Sequence, residues 1–383
     1  METNLKKNQK LIKILIIKFR NIGDVLLMTP LIHNLKLHYP NSLIDVALNE
    51  ETKDMITDNP HVNKILCYDR KKIQSQNFIK QIYQEINFAL DIHNNAYDIV
   101  INTTKGDRGT LLTLLSRAKT TIGYPSKKQF FKHVFNKTLP PAYSYHMVDA
   151  NLDALHLLEL PIINKEVQVF CSKSADSKIV DILNRHNITQ NSFVHIHAVS
   201  RWMFKCLDDK TMAKMIDFCE NSLQKKVILT AAPIQQEIDK ISSILTHCKS
   251  KPISLAGQLS MKETIALNKQ SLFFIGVDTA IMHISAANNI PSFAFFGPSS
   301  AHHWGPWDNH LMNSTYSHTQ TGIQEMGIHT VFQENWSCIP CNKDGCQGTK
   351  KSLCLLNNNF VDIQKIFNSF LDKNYLTSPK NLC

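Results

Sequence analysis

Short β-rich runs alternate with longer helical runs through most of this chain, and that alternation narrows the fold more than any other feature. Residues 13–19 (KILIIKF), 43–48, 62–68, 98–103 (DIVINT) and 120–124 (TTIGY) read as strands. Residues 24–38, 51–57, 78–90 and 109–116 between them read as helices. Strands separated by helices form βαβ units and imply a mainly parallel sheet. The signal fades from residue 125 to about 191, where one helix near 148–158 stands out, and the domain junction is expected near 165–190.

The alternation then restarts. Strands are expected at 193–199, 226–231 (KVILTA), 253–256, 272–277 (LFFIGV) and 292–296 (SFAFF). Helices are expected at 209–223, 236–246, 261–268 and 280–288, with a last one at 360–372 that can pack back on the first domain. The chain therefore divides into residues 1–175, 176–355 and a C-terminal helix and tail, 356–383. Two domains suit 383 residues, since a domain typically holds ~100–200. Two α/β units face to face leave a cleft at the strand carboxyl ends, where such sheets bind ligands.

Composition sets limits on partners. An apolar fraction of 43% supports real cores, and the formal charge of +10 favours an acidic partner or an ordinary basic surface. Residues 1–10 are polar and basic, the apolar run after them is too short and too charged for a signal sequence, and no 18-residue apolar stretch exists. A cytoplasmic location is expected, with the ten cysteines reduced. Six of them are scattered (Cys67, Cys171, Cys206, Cys219, Cys248, Cys383). Cys338, Cys341, Cys346 and Cys354 cluster, with a spacing that fits either a zinc knuckle or free thiols.

Chemistry concentrates at strand ends. In Arg20-Asn21-Ile22-Gly23-Asp24, Gly23 permits a tight turn. Asp24 at the helix start reads either as an N-cap or as a general base for an attacking hydroxyl. The GxGxxG dinucleotide fingerprint is absent here, and Pro30 should kink or break the following helix. In the run from His197 to Lys205, Ser200, Arg201 and Lys205 supply a hydroxyl and cations suited to a diphosphate, or form an ordinary basic loop. Asp278, Thr279, Ala280 and His283 follow another strand. There the helix N-terminus offers N–H groups to a phosphate, or Asp278 simply caps it and His283 packs. The strand-end loop Phe296-Gly297-Pro298-Ser299 with the run from Ala301 to Trp307 can form a cleft wall, its aromatics either stacking on a ligand or packing under the loop.

In combination these motifs resemble glycosyltransferase family 9, the bacterial heptosyltransferases. The resemblance covers nearly all of residues 12–360. It is carried most strongly by IIKFRNIGDVLLMTPLIHNLKLHYP and by SLAGQLSMKETIALNKQSLFFIGVDTAIMHISAANNIPSFAFFGP. SRWMFKC, HWGPW and CIPCNKDGC are similar to the heptosyltransferase III branch, which adds a side-chain heptose to the second inner-core heptose of lipopolysaccharide.

The resemblance implies a GT-B fold, two Rossmann-like domains facing across a cleft. The N-terminal domain would bind a heptosylated Kdo–lipid A acceptor and the C-terminal domain ADP-heptose. It implies an inverting transfer of L-glycero-D-manno-heptose with no required cofactor or bound metal, and peripheral contact with the inner face of the inner membrane. Asp24 matches the general base. Gly23, Ser200, Lys205, Glu237, Asp278, Thr279, Ala280 and His283 match substrate-binding positions, with Ala280 replacing the commoner glycine and Glu237 placed at the nucleotide ribose. The alternatives are heptosyltransferase I or II, another family-9 donor or acceptor, or a basic nucleic-acid-binding protein, for which none of the usual modules appears.

Overall fold

The computed structural model describes residues 11–141, 145–319 and 321–376; the polar start at 1–10 and Cys383 lie outside the described residues. The chain forms two compact units. One comprises residues 1–142 and 148–164, the other 143–147 and 165–383.

The first unit is built on six strands, counted among the described residues: β1 (Lys13–Lys18), β2 (Leu43–Asn49), β3 (Lys64–Tyr68), β4 (Ile99–Asn102), β5 (Thr120–Gly123) and β6 (Lys137–Thr138). They lie side by side in the order β3-β2-β1-β4-β5-β6, and every pairing is parallel. Ile14 to Ile17 of β1 are fully buried, as a strand covered on both faces requires. Pro30 breaks the expected 24–38 helix. A short helix Ile22–Leu26 is followed by Thr29–His38, which carries the proline in its first turn, where its missing N–H costs nothing.

In the second unit β7 (Phe193–His197), β8 (Lys226–Leu229), β9 (Ile253–Ser254), β10 (Phe273–Val277), β11 (Ser292–Phe296), β12 (Gln324–Met326) and β13 (His329–Gln333) run in the order β12-β13-β11-β10-β7-β8-β9. Read from the other edge, this repeats the first unit: third strand, second, first, fourth, fifth. Only β12 runs antiparallel, paired with β13. These last two strands were not foreseen, because His329–Gln333 is short and lies in a polar, turn-rich stretch. At Gly276 in β10 an added Cβ would lie 2.4 Å from Phe274 Cζ and 2.9 Å from the His197 carbonyl, so glycine lets β10 lie close against β7.

The last helix, Phe360–Lys373, differs from expectation. Its apolar face belongs to the second unit: Ile363, Phe367, Phe370 and Leu371 are fully buried in one core cluster. Phe367 packs edge-on against Phe293 at 5.1 Å and lies 5.9 Å from Phe273. Among the described residues no helix is long and apolar enough to cross a membrane.

Candidate active site

In each unit the strand order reverses between the first and fourth strands, and the loops leaving those two strands diverge around a crevice. α/β sheets bind ligands at such a point. In the second unit the two loops are the one from Ala198 to Cys206 and the one from Asp278 into the helix Ala280–Ala287. They bring Lys205 and Asp278, 73 residues apart, into a 2.6 Å ion pair. Asp278 is buried, and burial alone would raise its pKa. The Lys205 ammonium outweighs that and holds the carboxyl below its ordinary value, helped by a Ser299 hydrogen bond and by His283.

Thr279 is the N-cap of the helix, yet its hydroxyl does not cap it. Thr279 Oγ1 is buried and has no hydrogen-bond partner among the described residues. An unsatisfied hydroxyl and free helix N–H groups beside an ammonium form a ready set of donors for phosphate oxygens. Ala280 opens the helix and His283 is buried one turn in. Asp278 is thus not the cap; it is anchored by the lysine. Ser200 is buried and accepts from the Trp202 amide at 3.2 Å.

A pocket of about 220 Å3 adjoins Lys205. Its walls include Trp202, Phe204, Ser299, Asn342 and Lys343. Ser299 belongs to the strand-end loop expected to form a cleft wall; Lys343 was not nominated from sequence, although it lies within the CIPCNKDGC segment. That segment is tied to the site loop by the Asn342 amide, which donates to the Pro298 carbonyl at 2.8 Å, and β13 is tied to the same loop by Gln333, which donates to the Gly297 and Ser299 carbonyls at 2.7 and 2.8 Å. A wider groove of 490 Å3, lined in part by Lys210, Lys214, Phe218 and Phe360, contains none of the nominated residues.

Glu237 is buried in the first turn of the helix Gln235–His247 and accepts from the Ala232 amide at 2.9 Å. Burial raises its pKa, against that hydrogen bond and the charge of Arg201. His197 turns inward: its Nδ1 meets Thr230 Oγ1 at 2.9 Å, and burial lowers its pKa to about 4. Trp307 is fully buried, its ring 4.9 Å from that of His146, so this aromatic packs into the interior.

The four clustered cysteines come within electrostatic reach of one another. Burial, with the nearby thiols of Cys346, Cys341 and Cys338, pushes Cys354 up to about 12. Among the described residues, no group of three or more His, Cys, Asp or Glu is placed to hold a metal ion.

The crevice of the first unit has different chemistry. Asp24 is the third residue of its helix, not the N-cap, which is Asn21. Its carboxylate reaches back to accept from the Asn21 backbone N–H at 3.3 Å and side-chain amide at 3.4 Å. Gly23 lies within this helix and makes no left-handed turn, so the expected tight bend is absent there. Arg20 stands 3.9 Å from Asp24. Lys18 is buried behind the loop and donates to Asn151 Oδ1 at 2.9 Å. Desolvation lowers its pKa to about 8, against the attraction of Asp24. Lys18 escaped notice because a lysine inside a strand reads as an interruption of the apolar run. After β4, Gly106 at φ 139° opens the helix Asp107–Ser116, with the exposed Lys105 beside it.

Comparison with known proteins agrees with this geometry. The family model described as glycosyltransferase family 9 (heptosyltransferase) matches residues 86–327. Lipopolysaccharide heptosyltransferase 3 of Escherichia coli (strain K12) is 30% identical over 297 residues, covering 76% of this chain and 84% of that protein. Among solved structures, the family 9 glycosyl transferase of Veillonella parvula superposes with a TM-score of 0.76 at 19% identity, covering 94% of this chain and 97% of that one. E. coli heptosyltransferase WaaC with ADP-2-deoxy-2-fluoro heptose superposes at 0.64 and 13% identity, covering 94% and 99%. The fold is accordingly the GT-B fold, made of two Rossmann-like units.

Proposed function

This chain belongs to glycosyltransferase family 9, the heptosyltransferases, and from that premise we propose that it transfers L-glycero-D-manno-heptose from ADP-heptose to the second heptose of the lipopolysaccharide inner core. The observation that carries the donor half is the Lys205–Asp278 pair beside the unpartnered Thr279 hydroxyl. A lysine ammonium has three N–H donors. Asp278 takes one and aims the group, leaving two for phosphate oxygens. Glu237 would accept from ribose hydroxyls, and His283 would face the sugar-phosphate. The likeness to lipopolysaccharide heptosyltransferase 3, at 30% identity, supports the choice of acceptor.

The reaction asks the first unit for a base. Asp24 takes the proton of an acceptor hydroxyl. The oxygen attacks the anomeric carbon of the donor, the bond from that carbon to the β-phosphate oxygen breaks, and ADP leaves with the electron pair. Attack opposite the leaving group inverts the anomeric centre. Charge grows on the diphosphate as the bond breaks, and Lys205 with the helix N–H groups after Thr279 stabilises it without reorganising. We assign that role to protein groups rather than to a metal. The acceptor, a heptosylated Kdo–lipid A, is lipid-borne, so the enzyme works at a membrane face.

The test is ADP release from ADP-heptose with Kdo–lipid A acceptors carrying no, one or two heptoses. Turnover confined to the two-heptose acceptor is expected. Turnover on a shorter acceptor assigns the chain to an earlier transfer, and none on any of the three overturns the reading.

A further inference from the structure

The helix Phe78–Asn94 turns its apolar residues the wrong way for a core helix. Ile92 is fully buried, while Phe78, Ile79, Ile82, Tyr83, Ile86 and Leu90 are 44% to 78% exposed. At about 100° per residue these six fill an arc of about 140°. That arc lies between the edge facing the sheet (Phe88, Ile92) and the polar edge (Lys80, Asn87, Asp91). Folding accounts for the first edge alone. The neighbouring helix Asp107–Ser116, joined to it by His93 Nδ1 and the Leu115 carbonyl at 2.8 Å, extends the stripe with exposed Leu111, Leu114 and Leu115. Soluble surfaces rarely leave so continuous an apolar strip uncovered.

Charge indicates what covers it. Residues 70–132 hold eleven Lys and Arg against four Asp and Glu, so most of the chain's surplus of +10 sits in this stretch. Its four carboxylates are engaged: Glu85 by Arg108 at 2.8 Å, Asp91 by Lys64 at 3.1 Å, Asp107 by Lys128 at 2.5 Å, and Asp98 by the Lys13 amide at 3.1 Å. Arg70, Lys71, Lys72 and Lys80 are exposed at the start of the stripe. A second copy of the chain would bring the same positive charge to this face. Nucleic acid would leave the aliphatic arc unmatched.

We propose that the outer face of these two helices is a membrane-docking surface. It seats its apolar arc at the acyl boundary of an anionic bilayer while Arg70, Lys71, Lys72 and Lys80 meet headgroup phosphates. Apolar burial plus attraction to anionic lipid is the way an amphipathic helix lies on a membrane. The surface deepens the acceptor half of the proposed function by giving a lipid-borne substrate a place of approach. It is tested without that substrate, so either proposal can fail alone.

Sedimentation of the full chain with phosphatidylethanolamine–phosphatidylglycerol vesicles, against phosphatidylcholine vesicles, reads the binding. Preference for the anionic vesicles is expected. Ile79→Asn with Ile86→Asn should weaken that binding about tenfold or more. Donor binding should be unchanged, which shows the variant is folded. Lys71→Glu with Lys72→Glu should weaken it at low salt and much less at high salt. Hydrogen exchange of residues 78–94 should slow in the vesicle-bound state. Equal binding to both lipids, wild-type binding by the Asn variant, or unchanged exchange in the bound state overturns the proposal. So does loss of a lipid-free self-association in the Asn variant with vesicle binding intact, which would make this face an interface between copies.

Discussion

The two units share a strand order and differ in what they place at its reversal. In the second, the loop after the first strand supplies a cation, Lys205, and the loop after the fourth supplies a carboxylate, Asp278; they close on each other at 2.6 Å. In the first, the loop after the first strand supplies the carboxylate, Asp24, and the loop after the fourth is basic, with Lys105. Asp24 accepts long hydrogen bonds from Asn21, stands 3.9 Å from Arg20 and is attracted by the buried Lys18. One carboxylate is an anchor, tied to Lys205 and supported by Ser299 and His283, which together hold its pKa below the ordinary value. The other is held by longer contacts, which suits the base role proposed for it. Topology thus sets the two crevices, and the side chains give each its own arrangement of charge.

Asp24→Asn should break the comparison most severely. Without a base, turnover is expected to fall about 10²–10⁴-fold. Donor affinity, measured by calorimetry with ADP, should stay within about twofold. A variant that turns over like the wild type removes Asp24 from the proton transfer.

Lys205→Ala should reach further and cut less deeply into rate. It removes the proposed diphosphate contact and strands Asp278 in a buried site, so both ADP affinity and stability should drop, the latter by about 3 kcal/mol. The pH dependence carries a sign. Because the native Asp278 carboxyl lies below its ordinary value, the pair's stabilisation is present above about pH 4 and is lost as pH falls through the depressed value. Without Lys205, burial is opposed only by Ser299 and His283 and that pKa rises, so the variant should begin losing stability at higher pH than the wild type. Adding Asp278→Asn should restore stability but not ADP binding. If the single variant keeps its ADP affinity, Lys205 is structural only.

The smallest expected effect is none at all. If Lys205 and the helix start carry the leaving-group charge, turnover in excess EDTA should equal that in buffer. A loss restored by added divalent metal would reassign that role and bring Lys205 closer to a purely structural anchor.

Much of this was legible in the chain itself. Buried parallel strands read as apolar runs, and KILIIKF and LFFIGV fell where β1 and β10 lie, each with five residues buried in succession. Pro30 announced its helix break through its missing N–H. Loops at strand ends named Asp24, Lys205, Asp278 and Thr279 as polar residues in chemically useful places.

Other features were settled only by tertiary structure. Asn21 took the cap that Asp24 was a candidate for, because the helix begins two residues earlier than its apolar pattern suggests. Phe367 and Phe370 declare an apolar face without saying which sheet it covers; packing against Phe273 and Phe293 decided that. The meeting of Lys205 with Asp278 follows from β7 lying beside β10, a neighbour relation across 73 residues that no local pattern encodes. The sequence determined which segments are strands and which loops carry charge, because those depend on nearest neighbours along the chain. Partnership between loops depends on the order in which strands are laid into the sheet, and that order is set by the burial of all their faces at once.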